Sequence, residues 1–124
     1  MIYYKTMYIW TMYSKELLKG TLSAIILNLL AENKKMYGYE IFQRVKEQSD
    51  GKILLKDGSL YPAIQKMTKD GLLSYKEEYI GKRVRKYYSL TSKGQTEKAR
   101  YLEELKDFIT TLNKLVFPAL KIAW

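Results

Sequence analysis

The chain has 124 residues, enough for one domain, and 47% of them are hydrophobic, so it can bury a core and does not read as disordered. A formal net charge of +9 suits a polyanionic partner, either nucleic acid or an anionic membrane surface. With no cysteine and no histidine, disulfides, thiol nucleophiles, Cys/His zinc sites and imidazole acid–base pairs are excluded together, and neither an enzyme nor a cofactor is expected.

Residues 1–13 carry several Tyr and Met with Ile9 and Trp10 and show no period; they read as an N-terminal extension, with Met12 a natural alternative start. Ser14 suits a helix N-cap. Leu18, Leu22, Ile25 and Leu29 then recur at helical spacing, flanked by Leu17, Ile26 and Leu30, up to Asn33-Lys34-Lys35. That stripe is wider than a surface helix needs, which assigns Leu18 and Leu22 to contact with a second subunit. The apolar run is interrupted by Lys19, Ser23 and Asn28 and is shorter than the ~20 residues of a membrane helix. It ends at Glu32 without a small-x-small cleavage pattern, so the expectation is a cytoplasmic protein with no membrane partner.

Tyr37-Gly38-Tyr39 opens a second helix, which continues through Ile41, Phe42 and Val45 to Gln48 and stops at Ser49-Asp50-Gly51. After a connection over 52–57, a third helix begins between Asp57 and Ser59. An N-cap at Ser59 places Pro62 at the third helical position, where its missing N–H is harmless. Asp70-Gly71 closes this helix. Leu72 to Ile80 and Arg83 to Leu90 read as two antiparallel strands around Gly81-Lys82. Thr91 caps a fourth helix, in which Leu102, Leu105, Ile109, Leu112 and Val116 form a heptad-like seam. Tyr101, Phe108, Leu115 and Ile122 repeat beside it, and Pro118 kinks or ends the helix.

The order α-α-α-β-β-α is that of a winged helix-turn-helix, mainly α with a small β-hairpin. It divides into the extension at 1–13, the winged helix at 14–91 and a long C-terminal dimerisation helix at 92–124. At about 100° per residue, Leu60, Ala63, Ile64 and Met67 face inward on the third helix. Ser59, Pro62, Gln65, Lys66 and Lys69 face outward, with Tyr61 at the border. A glutamine can read adenine in the major groove, and serine and lysine can hold phosphate or guanine. The same face is also what any solvated helix presents, and both readings stand on this helix alone. The hairpin adds Lys82, Arg83, Arg85 and Lys86 within five positions and no acid among them, as a phosphate-touching wing requires. The heptad helix, too apolar to stay exposed, points to a homodimer, which matches two DNA half-sites.

These words in this order resemble the PadR-like transcriptional regulators, in particular the short subgroup with a single C-terminal dimerisation helix. The resemblance rests on Leu18-Lys19-Gly20-Thr21-Leu22, Tyr37-Gly38-Tyr39-Glu40-Ile41, Asp57-Gly58-Ser59-Leu60-Tyr61-Pro62-Ala63-Ile64, Asp70-Gly71-Leu72-Leu73 and Arg85-Lys86-Tyr87-Tyr88-Ser89-Leu90-Thr91-Ser92-Lys93-Gly94. It implies a dimeric repressor on double-stranded DNA with inverted half-sites, and it implies Tyr39, Ser59, Tyr61 and Lys66 at the DNA beside the wing cations. It also implies a small aromatic or hydrophobic effector. The tryptophan that stacks on planar drugs in some short members has no counterpart in the body of the last helix, because Trp10 and Trp124 lie at the chain ends. Two other readings remain beside it. One is a protein-interaction module that keeps the winged-helix shape without reading DNA. The other is a membrane-surface protein anchored by Tyr3, Tyr4, Tyr8, Ile9 and Trp10, a segment whose one cation is Lys5.

Overall fold

The computed structural model describes residues 13–119. The extension and both tryptophans, save Tyr13 of the former, therefore lie outside the described residues, as does Ile122. The elements are α1 (Lys15–Leu18), α2 (Leu22–Glu32), α3 (Gly38–Gln48), α4 (Asp57–Lys69), β1 (Leu73–Ile80), β2 (Arg83–Leu90) and α5 (Ser92–Val116).

The first expected helix is two. Ser14 does begin it, its hydroxyl accepting the Leu17 N–H at 3.3 Å. The helix then breaks at Gly20, whose φ of 92° only glycine adopts readily. Tyr101 of α5 donates its hydroxyl to the Gly20 carbonyl, so the break is where the last helix is tied down. From Leu22 onward the broad apolar stripe is buried: Ala24, Ile26, Leu27, Leu29 and Leu30 all lie in the interior.

Helices α3 and α4 end as the sequence indicates. At the end of α4, Gly71 takes φ 81°, its N–H bonds the Thr68 carbonyl and the Leu72 N–H bonds the Met67 carbonyl. That pair of bonds satisfies carbonyls the helix itself leaves open. The start of α4 differs from expectation. The cap is Lys56, not Ser59, and it caps through its carbonyl, which receives the Ser59 and Leu60 N–H groups. Asp57 in the first turn complements the helix dipole. Pro62 is thus six residues in. The carbonyl it leaves without an intrahelical donor is that of Gly58, an exposed residue that water can reach.

Strands β1 and β2 pair antiparallel in the register Leu73↔Leu90 to Ile80↔Arg83. Gly81, at φ 65°, takes the first central position of the tight turn, where a hairpin of this hand needs glycine. Met36, between α2 and α3, exchanges both backbone hydrogen bonds with Tyr88 on the far side of β2, at 3.0 and 2.8 Å. Leu73 and Tyr88 close the core together with Ile41, Leu55, Leu60, Ile64 and Met67. The inward face of α4 falls as its periodicity indicates, with Ala63 half-buried beside the three larger residues.

Thr91 caps α5, its hydroxyl accepting the Gly94 N–H at 3.0 Å. Gly94 is buried so closely that a Cβ there would lie 2.2 Å from the Leu72 carbonyl oxygen. Phe117 ends the helix just before Pro118, whose ring disfavours a helical residue in front of it. Among the described residues no helix is long and apolar enough to cross a membrane.

Candidate nucleic-acid interface

The geometry of this surface begins with Tyr37-Gly38-Tyr39. Gly38 is buried under the Tyr61 ring: a Cβ at this position would stand 2.6 Å from the Tyr61 hydroxyl oxygen and 2.9 Å from two ring carbons. The absence of that Cβ lets the start of α3 and the second turn of α4 meet. Tyr61 is 39% exposed and Tyr39 58% exposed, the latter resting on Phe42 with ring centres 6.0 Å apart. Ser59, Pro62, Gln65, Lys66 and Lys69 are all exposed on α4. Lys66 is engaged by Asp70 at 2.9 Å, and this pairing holds the Asp70 carboxyl below its ordinary range.

The hairpin sorts its cations by strand alternation. Tyr88 and Leu90 face the core, so Lys86 and Val84 share the α4 side, while Arg83, Arg85 and Tyr87 lie on the opposite side. Lys82 and Arg83 are exposed at the turn, and Arg83 has Ile80, not an acid, across from it. Lys86 sits 4.6 Å from the centre of the Tyr75 ring and opposite Glu77. Arg85 lies opposite Glu78, stacks 4.0 Å from the centre of the Tyr37 ring, and donates to the Tyr87 hydroxyl at 3.3 Å. Glu78 is in turn paired with Lys35. The segment from Lys82 to Lys86 contains no acid, yet folding brings two acids to it from the other strand. Tyr37, Tyr75 and Lys35 are parts of this surface that sequence reasoning did not single out. The Tyr37–Arg85 contact joins residues far apart in the chain, and periodicity carries no signal for it.

The seam residues divide in two. Leu18, Leu22, Leu102, Leu105 and Ile109 are half-buried within the protomer, whereas Leu112 and Val116 are exposed. Beside them Phe108, Leu115 and Phe117 are also exposed, Leu115 to 76%. The far half of α5 therefore carries an exposed apolar face. Where α1, α2, α4 and α5 meet, a groove of about 870 Å³ opens, with Leu18, Leu22, Leu55, Ala63, Met67 and Tyr101 among the residues that line it.

Three helices, a tight pair of strands and a short bridge on the far side of β2 define a winged helix-turn-helix protein, with α4 in the recognition-helix position and the hairpin as its wing. Residues 26–100 match the transcriptional regulator PadR-like family, and the chain belongs to that family. A protein of Lysinibacillus sphaericus, itself uncharacterized, is 34% identical over 95 residues, 76% of this chain and 83% of its own. A transcriptional regulator from Clostridium thermocellum superposes with a TM-score of 0.77 at 28% identity, covering 82% of this chain and 99% of its own. PadR of Bacillus subtilis, solved in complex with operator DNA, superposes with a TM-score of 0.61 at 30% identity, covering 66% of this chain and 46% of that one.

Proposed function

We propose that this chain is a sequence-specific DNA-binding repressor that acts as a homodimer on an inverted-repeat operator. The observation that carries the reading is the exposed polar face of α4, with Gln65, Lys66 and Lys69, lying beside a hairpin whose tip presents Lys82 and Arg83. In this reading α4 enters the major groove, Gln65 reads a base edge, and Ser59, Tyr61, Tyr39, Lys66 and Lys69 hold the backbone around it. Lys82, Arg83 and Lys86 add phosphate contacts from the wing. The Bacillus subtilis relative, solved in complex with operator DNA, supports DNA as the partner. Two copies joined through α5, with Leu18 and Leu22 at the margin of the contact, would address two half-sites about one helical turn apart. A small aromatic or hydrophobic effector would act in the groove between α1, α2, α4 and α5, where its binding bears on both the seam and α4.

Selection of bound sequences from a random duplex pool at two salt concentrations tests the reading. An enriched inverted repeat is the expected outcome. Binding without enrichment would reduce the activity to backbone electrostatics. No binding at low salt would leave a protein-interaction module on the same scaffold.

A further inference from the structure

The wing is conventionally a set of charges aimed at phosphate, and five positions of β2 and its turn hold four of them. One of the four is committed elsewhere. The Arg85 guanidinium lies over the Tyr37 ring, its carbon 4.0 Å from the ring centre, and one of its nitrogens donates to the Tyr87 hydroxyl at 3.3 Å. Tyr37 and Tyr87 meet edge to face, with ring centres 5.4 Å apart. Lys35 closes the other side, its ammonium 4.7 Å from the centre of the Tyr87 ring and paired with Glu78. Strand alternation puts this cluster on the sheet face turned away from α4.

The attachment point matters. Tyr37 is the residue immediately before α3, with its N–H bonded to Glu40 at 3.0 Å, and its neighbour Gly38 is the one that Tyr61 of α4 rests on. A guanidinium stacked on Tyr37 therefore ties the middle of β2 to the point where α3 and α4 touch. Resting on the regulator reading above, we infer that Arg85 is a positioning residue: it fixes the wing relative to α4 through Tyr37 and Tyr87 and is not itself a phosphate ligand. The chemistry calls for arginine. A planar guanidinium can stack and donate at once, whereas an ammonium at the same place is a point charge without a fork.

The test is the salt dependence of operator binding, because it counts phosphate contacts separately from affinity. Arg85→Ala should weaken binding roughly tenfold, since the wing loses its fixed pose, while the log–log salt slope stays as in the parent. Arg83→Ala should flatten that slope by about 0.9 per protomer. Arg85→Lys keeps the charge and should bind as poorly as Arg85→Ala. Tyr37→Leu should reproduce the loss, and combining it with Arg85→Ala should add little further. In the free protein, nuclear magnetic resonance should find the Arg85 side-chain protons shifted upfield by the Tyr37 ring, a shift absent from Tyr37→Leu. Rescue by lysine, a slope that falls in Arg85→Ala as it does in Arg83→Ala, additive losses, or an unshifted Arg85 would each overturn the inference. Failure of the unsubstituted protein to bind any duplex would be a different result, overturning the regulator reading and this inference with it.

Discussion

Two glycines of this chain are both pressed by a neighbour, and the neighbours decide what a methyl group would do. At Gly38 the neighbour is the Tyr61 ring, a partly exposed side chain that can swing outward. Gly38→Ala should therefore leave the fold within about 1 kcal/mol of the parent while displacing Tyr61 and weakening DNA binding. Thermal unfolding and a binding titration on one sample would separate the two effects, and a large loss of stability would show that Tyr61 cannot yield. At Gly94 the neighbour is the Leu72 backbone carbonyl, which has nowhere to go. Gln65 is a different case. It is exposed on α4, and a bidentate amide contact to adenine is worth about 1–3 kcal/mol of discrimination. Gln65→Ala should relax base preference at one position more than it lowers overall affinity. Uniform weakening across operator variants would reduce Gln65 to a spacer.

At the scale of elements, two interfaces can be probed separately. The first is the sheet on the core. Burial pushes the Tyr88 hydroxyl above its ordinary pKa of 10.0, with the Tyr61 and Tyr75 hydroxyls adding to the shift. The folded chain thus holds this proton longer than the unfolded chain does. The resulting stability is complete below pH 10.0 and is lost as pH rises through the raised folded value. Denaturant midpoints between about pH 9 and 11 should fall less steeply for Tyr88→Phe than for the parent. Parallel slopes would show that the hydroxyl is solvated in the folded state. The second interface is the seam of α5. Ile109→Asp places a charge at its centre and should dissociate the proposed dimer, and a dimer persisting in sedimentation would sink the seam assignment. Most of these elements were legible in the sequence because their causes are local. Gly71 and Asp70 close α4, Thr91 opens α5 and Gly81 turns the hairpin through chemistry confined to a few neighbouring residues. What escaped was either a local break inside a strong period or a contact across the fold. The apolar stripe of α2 runs on through Leu18, and nothing in its spacing announces the kink at Gly20. The acids opposite Arg85 and Lys86, the bridge from Met36 to Tyr88 and the stacking of Arg85 on Tyr37 depend on which strands meet. The outward face of α4 was legible residue by residue, because a helix exposes its period directly, although the cap moved from Ser59 to Lys56.

For the whole molecule, the uneven covering of α5 sets how the chain behaves on its own. Its first half is tied to the body through Thr91, Gly94 and Tyr101, while Phe108, Leu112, Leu115, Val116 and Phe117 are exposed. A face of that composition is what a second copy would cover, and anything that binds only the folded chain stabilises it by mass action. Dilution should therefore lower the midpoint of thermal unfolding, and a midpoint constant over a hundredfold range of concentration would argue that α5 needs no mate. The same asymmetry bears on how long the protein lasts. A solitary protomer would offer the end of α5 as a weakly held tail beside a well-packed body, and local opening of such a segment is where proteases cut first. Cleavage there, faster at low concentration and slower when operator is present, would make the lifetime of the chain a measure of how much of it is assembled on its target.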